Sequence, residues 1–149
     1  MARSIDSEGL LRLWLDLVEY HRRLDPEFPA LPSLRAVLLR EIGRGLRSSD
    51  CCLGVAEFGS ELVGFVFAGL KAGAQTRRGE GGGGWVHELY VDPAWRRHGV
   101  ATALLEIAGD FFEERGAGRI SVRVESANEA GLRFWLRSGF SERERILTR

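Results

Sequence analysis

The feature that most constrains the fold is a β-rich run, a proline turn and a helical run that follow one another without interruption. Residues 85–91 are rich in β-branched and aromatic side chains, which is typical of a strand. Asp92-Pro93 ends that run, because proline cannot continue a ladder. Apolar residues then recur at helical spacing, at Val100, Leu104, Ala108 and Phe111. This succession predicts a strand-loop-helix unit, the building block of α/β folds.

The turn between that strand and that helix has the chemistry of an anion site. The first turn of a helix presents unpaired backbone N–H groups and a partial positive charge. Gly99 allows the backbone to approach a ligand closely, and the small Ala101 leaves that approach open. Arg96 and Arg97 add forked donors that suit phosphate oxygens. The turn therefore predicts a pyrophosphate site, although it is neither a Walker loop nor a dinucleotide fingerprint.

The first half of the chain predicts two helices and a hairpin. Apolar residues recur every three or four positions from Glu8 to about Leu24, and a second helical stripe follows Ser33. Two β-rich runs, 51–58 and 62–70, are separated by Gly59-Ser60-Glu61. That spacing predicts an antiparallel hairpin.

The second half adds the strand-loop-helix unit and three shorter elements. Residues 72–84 end in four glycines and predict a mobile connection outside any element. A strand is expected at 120–124, a helix from Asn128 to about Arg137, and a final strand or hairpin from Phe140 onward. The whole order predicts one α/β (α+β) domain over residues 1–149. We expect a mixed, mostly antiparallel sheet with helices on both faces and a parallel right-handed crossover.

Composition limits the partners. The 21 basic and 21 acidic residues give a net charge of +0, which argues against nucleic acid or an anionic membrane as the main partner. No signal-like segment precedes the helices, so we expect a cytoplasmic protein. The adjacent Cys51 and Cys52 would point to opposite faces of a strand, which predicts two reduced thiols. No spacing of ligand residues indicates a metal.

The strand, turn and helix resemble the GNAT superfamily, whose signature Arg/Gln-x-x-Gly-x-Gly/Ala follows the family's fourth strand. Arg96, Gly99 and Ala101 match that signature. Asn128, Phe134, Trp135, Gly139 and Phe140 match a second family pattern. The Leu-Val-Gly-Phe at 62–65 resembles the family's third strand. The resemblance is strongest over residues 50–140 and implies a GNAT-like fold.

The resemblance implies a site for acetyl-coenzyme A. The backbone of Arg96, Arg97, His98, Gly99, Val100, Ala101 and Thr102 would bind the pyrophosphate. Val91 would pair its main chain with the pantetheine arm and polarise the thioester carbonyl. Asn128 would bond the same arm, and a helix N-cap is an equally good reading of that residue. Trp135 would complete the cofactor site.

The implied reaction is transfer of an acetyl group to a primary amine, which needs a general base. His87 is the first candidate, because it matches the position relative to Val91 at which some family members carry a catalytic His or Glu. Glu88 is the second choice and would rather bind a cationic substrate; Tyr90 shares its face. On a regular strand His87 and Glu88 point to opposite faces, so we expect only one of them in the cleft. Further residues that could line an acceptor cleft are His21, Asp25, Glu27 and Glu80.

Trp135 departs from the family, which often has a tyrosine acid at this position. Indole is no proton donor at these pH values, so a water, Tyr90 or no acid at all would serve. The leading hypothesis is an acetyltransferase acting on a small-molecule amine. The alternatives are a protein N-terminal or lysine acetyltransferase and a non-catalytic acyl-CoA-binding module. The family also makes a homodimer an assembly to test.

Overall fold

The computed structural model describes residues 1–3, 6–28, 33–71 and 82–147. It contains four helices and four strands over those residues, in the predicted order. They are α1 (Ser7–Leu24), α2 (Leu34–Arg47), β1 (Cys51–Phe58), β2 (Glu61–Leu70), β3 (Gly84–Val91), α3 (Val100–Glu114), β4 (Ile120–Val122) and α4 (Glu129–Arg137). A short 3-10 turn, Pro93–Trp95, separates β3 from the start of α3. None of the described helices is both long and apolar enough to cross a membrane.

The strands form one sheet in the order β1-β2-β3-β4. The first two pairings are antiparallel and the third, between β3 and β4, is parallel. This confirms the mixed, mostly antiparallel sheet. The hairpin between β1 and β2 turns at Gly59, whose φ of 63° lies in the left-handed region that glycine enters without strain.

Helices cover both faces of the sheet, as predicted. On one face, the α1–α2 face, Trp14 packs on Phe65 and Phe67 with ring centroids 5.2 and 5.4 Å apart. On the other, the α3–α4 face, Leu104 and Phe112 are buried against the sheet. The two layers form the buried core without a disulfide, and both cysteines are free thiols.

Two predictions about the ends of elements are wrong. Residues 140–147 form no strand or hairpin in the structure. Gly84, expected in the glycine loop, is instead the first residue of β3, and a Cβ there would collide with the Phe112 ring. Gly84 therefore serves close packing between the sheet and α3. The rest of the predicted mobile connection, 72–81, lies outside the described residues.

A β-bulge in β3 changes which side chains face which layer. Phe67 pairs with Glu88 and Ala68 pairs with Val86, so His87 is an extra residue opposite neither of them. Paired residues share a face, which puts Glu88 on the α1–α2 face with Phe67. The His87 ring also lies 5.4 Å from the Phe67 ring. The prediction that His87 and Glu88 point to opposite faces is therefore wrong, because the bulge interrupts the alternation.

Candidate active site

A cleft opens where the two parallel strands separate. The pairing of β3 with β4 covers only Gly84 to Val86 of β3, and β4 ends at Val122. The remainder of β3 continues to Val91 beside the resulting gap. The cleft has a volume of about 1210 Å³ and is lined from α1, β3, α3 and α4. We call its two walls the α1 side and the α3–α4 side.

The peptide edge of Val91 faces this gap. Tyr90 pairs with Phe65 of β2, and the Asp92 N–H donates to the Val63 carbonyl at 2.9 Å. Backbone groups alternate in direction along a strand, so the N–H and C=O of Val91 point away from β2. The Val91 carbonyl accepts from Arg96 Nε at 3.0 Å, so the Val91 N–H is the group that this edge offers to a ligand in the cleft.

The turn after β3 presents the uncapped start of α3. Arg97 has a φ of 65° and Gly99 one of 79°, so the chain bends sharply before the helix begins at Val100. No side chain caps this terminus, and its first turn holds no acidic residue. The leading N–H groups, up to Thr102, have no partner within the helix. A helix start of this kind favours an anion.

The Arg96 side chain contacts other residues of the protein around the cleft. Its Nε donates to the Val91 carbonyl at 3.0 Å. Its guanidinium carbon lies 5.3 Å from the ring centroid of Tyr20 and 5.6 Å from that of Tyr90. A phosphate role for Arg96 would therefore fall on its main chain rather than on Nε. Arg97 and His98, in contrast, are exposed at the turn.

Asn128 serves as the predicted N-cap and also joins two helices. Its Oδ1 accepts a hydrogen bond from the Gly131 N–H at 2.9 Å, which caps α4. The same oxygen accepts from the Tyr20 hydroxyl at 3.0 Å. The carboxamide nitrogen remains the group that could bond a ligand. Tyr20 was missed by sequence reasoning, since it lies off the apolar stripe of α1 and only its contact with Asn128 reveals it.

Trp135 lines the cleft but belongs mainly to the core. It is only 8% exposed, with the Phe134 ring 5.2 Å and the Phe140 ring 5.0 Å from its own. Both neighbours meet it edge to face. An indole fixed in this way shapes the wall of the cleft and supplies no acid.

The side chains of His87, Glu88 and Tyr90 come together on one side of β3, and all three line the cleft. Glu88 is half-buried, and burial raises its pKa from 4.5 to about 7. No ion pair to Glu88 occurs within the described ranges. A carboxyl with a pKa near neutrality is suited to accept and release a proton.

The other two groups titrate differently. Burial and the nearby Arg44 lower the pKa of His87, and the nearby Glu41 opposes that shift. The His87 side chain is nevertheless more exposed than that of Glu88. Burial and Asp16 raise the pKa of Tyr90, which keeps its hydroxyl protonated. The protein therefore holds a neutral imidazole, a titrating carboxyl and a protonated phenol next to one another.

Of the further residues predicted to line an acceptor cleft, some line the cleft and others do not. His21 lines the cleft, where it stacks on Phe28. Asp25 and Glu27 do not line it; the Asp25 carboxylate instead accepts from the Glu27 N–H at 2.9 Å. Glu80 lies outside the described residues. Within the described ranges no cluster of His, Cys, Asp and Glu side chains could hold a metal ion.

Solved structures with the same fold include acetyltransferases. A tetramutant of a Bacillus halodurans protein superposes with a TM-score of 0.86 at 16% identity, covering 99% of this chain and 95% of the other. An aminoglycoside N-acetyltransferase, AAC(6')-Iy in complex with CoA, superposes with a TM-score of 0.77 at 17% identity, covering 99% and 90%. At these identities the likeness shows the fold, an open mixed sheet with helices.

Sequence comparison gives the family. The model of the acetyltransferase (GNAT) family matches residues 14–140, most of the chain. An uncharacterized N-acetyltransferase from Methanocaldococcus jannaschii is 36% identical over 59 residues, which is 40% of this chain and 26% of that protein. The match spans between 26% and 42% of the length of the curated relatives. The protein belongs to the GNAT acetyltransferase family, a class of N-acetyltransferases.

Proposed function

We propose that this protein transfers an acetyl group from acetyl-CoA to the primary amine of a small molecule. The observation that carries the proposal is the juxtaposition of the outward-facing Val91 N–H, beyond the end of the β3–β4 pairing, with the uncapped start of α3 at Gly99. One feature suits an extended amide-bearing arm and the other suits a diphosphate. Family membership and the CoA complex of a structural neighbour support the same ligand.

The α3–α4 side of the cleft would hold the cofactor. The main chain from Arg97 to Thr102 would bind the pyrophosphate, with the Arg97 guanidinium as an additional donor. Val91 would pair with the pantetheine arm, and the Asn128 carboxamide nitrogen would donate to it. Trp135 would pack beside the thioester end. A cleft of about 1210 Å³ has room for both substrates.

Acetyl-CoA supplies an acetyl group activated as a thioester. Glu88 would take a proton from the acceptor ammonium, because its pKa of about 7 leaves it partly ionised at neutral pH. The neutral nitrogen would then form the new amide bond as the C–S bond breaks, and the second proton that the nitrogen loses would pass to solvent. The Val91 N–H would donate to the carbonyl oxygen while negative charge builds up there. We favour Glu88 over His87 because His87 packs toward α2, near Arg44 and Glu41.

Tyr90 is the proposed proton donor to the departing thiolate. Trp135 stands at the family's tyrosine position and has no acidic proton to give. Tyr90 stays protonated because its pKa is raised, and it lies on the same side of β3 as Glu88. The thiolate, with a pKa of about 8.5, is already a fair leaving group. Loss of the Tyr90 hydroxyl should therefore cost less than loss of the Glu88 carboxyl.

The test is release of free thiol from acetyl-CoA over a panel of small amines, with N-terminal peptides and lysine peptides included. We expect turnover with at least one small amine and a large loss in Glu88→Gln. Turnover on peptides alone would replace the small-molecule assignment with a protein acetyltransferase. CoA binding by calorimetry without turnover on any amine or peptide would identify a non-catalytic acyl-CoA-binding module. Trp135 favours that alternative, because it replaces the tyrosine acid that the family often has at this position.

A further inference from the structure

The α1 side of the cleft is built largely from aromatic rings. The imidazole of His21 stacks on the ring of Phe28, with centroids 5.4 Å apart and planes inclined by 12°. The Tyr20 ring meets His21 edge to face at 5.9 Å. Trp14 and Trp85 line the same cleft. Rings arranged in this way present flat faces and edges, which favour another ring over an aliphatic chain.

The stacked pair is held by the turn that ends α1. The Phe28 N–H donates to the Asp25 carbonyl at 3.0 Å, and the Asp25 carboxylate fixes the intervening Glu27 N–H. The Asp25 N–H in turn donates to the His21 carbonyl at 2.9 Å. Phe28 is thus tied to the residue on which it stacks. A platform positioned before a ligand arrives loses little conformational entropy on binding.

The platform is also uncharged near neutral pH. Burial lowers the pKa of His21, and the nearby Glu125 opposes that shift only in part. A neutral imidazole stacks on an aromatic ligand without repelling an ammonium group on the same molecule. The groups that face His21 are Tyr20 on the same helix, Phe28 in the turn after it and Glu125 beyond β4.

Negative charge is sparse among the described residues that line the cleft. The carboxylates are Glu88, Glu106 and Glu125, against the cations Lys71, Arg96, Arg97, Arg123 and Arg137. Glu106 lies on α3, and Glu125 is exposed beyond β4. Glu88 is the carboxyl that shares β3 with Tyr90, while the Lys71 ammonium lies 5.9 Å from the Trp85 ring centroid. Several ammonium groups on one ligand would find too few partners here.

We infer that the acceptor is a monoamine carrying an aromatic ring, with its amine at Glu88 and its ring on the His21–Phe28 platform. This inference rests on the proposed acetyltransferase function and deepens it. A polycationic acceptor, such as an aminoglycoside or a polyamine, fits this wall poorly. The class is defined by one ammonium and one aromatic ring on the same molecule.

The experiment compares phenethylamine, hexylamine, spermidine and kanamycin as acceptors for the wild type, Phe28→Ala and Phe28→Tyr. We expect the highest kcat/KM for phenethylamine. In Phe28→Ala the KM for phenethylamine should rise by about three- to tenfold, since an aromatic pair contributes that much beyond its buried area. The KM for hexylamine should stay nearly constant, and Phe28→Tyr should restore the phenethylamine value. Leu39→Ala, an exposed position on α2, is the control for handling and folding.

Two outcomes would overturn the inference. One is a higher kcat/KM for spermidine or kanamycin than for phenethylamine. The other is an equal rise in KM for both monoamines in Phe28→Ala. If no amine is acetylated, the proposed function fails, and calorimetry of phenethylamine against the CoA-loaded protein decides the ring site separately. Binding that weakens in Phe28→Ala supports the platform, and absence of binding in the wild type rejects it.

Discussion

Glu88 carries the chemistry of the cleft at the scale of a single residue. Its carboxyl has the size and charge of any surface glutamate, yet burial moves its pKa from 4.5 to about 7. Glu88 and Tyr90 share a face by regular alternation along β3, and the β-bulge at His87 adds the imidazole to the same face. One extra residue in a strand thereby brings a third titratable group to one wall.

Glu88→Gln should lower kcat by about a hundredfold or more, because it removes the proton acceptor and keeps the shape. The ratio of wild-type to variant kcat/KM should rise with pH through about 7 and then level off, as the wild-type carboxyl ionises. Taking the ratio cancels the ionisation of the amine substrate. Initial rates of thiol release between about pH 5.5 and 9 provide the measurement. A ratio independent of pH would contradict the role of Glu88.

His87→Gln is the matched control for this position. Its ring lies over Phe67 and near α2, so we expect the pH-dependent ratio to persist in this variant. If His87→Gln removed the pH dependence and Glu88→Gln kept it, the base would be His87. The pair of variants therefore decides between the two neighbours.

At the scale of an element, the turn from Arg96 to Gly99 links strand, helix and cleft. Gly99 holds a φ of 79°, and a Cβ there would meet no atom within 4 Å. The cost of a side chain is therefore backbone strain, about 1–2 kcal/mol for a left-handed residue other than glycine. Space alone would not forbid substitution.

Gly99→Val should lower the affinity for CoA by about tenfold or more, because strain at Gly99 displaces the N–H groups that follow it. Gly109→Ala is the control: it lies within α3, and its Cβ also meets nothing within 4 Å. We expect it to stabilise the protein by about 0.5–1 kcal/mol and to leave CoA affinity unchanged. Calorimetric titration with CoA and urea denaturation test both variants. Equal CoA affinity in Gly99→Val and wild type would reject the anion site.

Arg96 and Arg97 are adjacent in this turn, and we expect their substitution to change different kinetic constants. Arg96→Lys loses the Nε bond to Val91 and the planar contact with Tyr20 and Tyr90, so kcat should fall by about tenfold. Arg97→Gln removes an exposed cation, so the Kd for CoA should rise while kcat at saturation is retained. Steady-state kinetics with CoA titration separate the two. If both variants changed kcat and the Kd for CoA to the same extent, the separate roles of Arg96 and Arg97 would be refuted.

At the scale of the whole molecule, burial of Glu88 affects folding. Its pKa is raised in the folded state, so the stability associated with the neutral carboxyl is complete below about pH 4.5 and is lost as pH rises through about 7. Moving the pKa from 4.5 to about 7 corresponds to about 3 kcal/mol. An ionisable carboxyl in the cleft therefore lowers the free energy of unfolding at alkaline pH.

Glu88→Gln should therefore be more stable than the wild type in alkaline buffer by up to about 3 kcal/mol, with the difference shrinking toward acid. Urea denaturation at about pH 5 and about pH 8.5 measures both differences. The stabilised variant would be the inactive one, which separates a catalytic loss from unfolding. A variant less stable than wild type at pH 8.5 would show that Glu88 makes favourable contacts when ionised.

Local sequence determined much of this architecture. Helical and strand periods, the turn at Gly59 and the start of α3 depend on residues close along the chain, and the structure confirms them. Asn128 was predicted as an N-cap for the same reason. Predictions went wrong where the deciding partner is distant: the Phe112 ring selects glycine at position 84, and the stretch after Phe140 forms no strand. The roles of the site residues and the single domain over 1–149 stay predictions.

The sequence alone determined that a strand, a tight turn and an apolar-faced helix would follow one another, because each is specified within a few residues. Tertiary structure decided which side chains share the cleft. The bulge at His87 arises from pairing with β2, the Tyr20–Asn128 bond joins residues 108 apart in sequence, and the pKa of Glu88 depends on what buries it. Those quantities are set by neighbours brought together in space, and no local pattern encodes them.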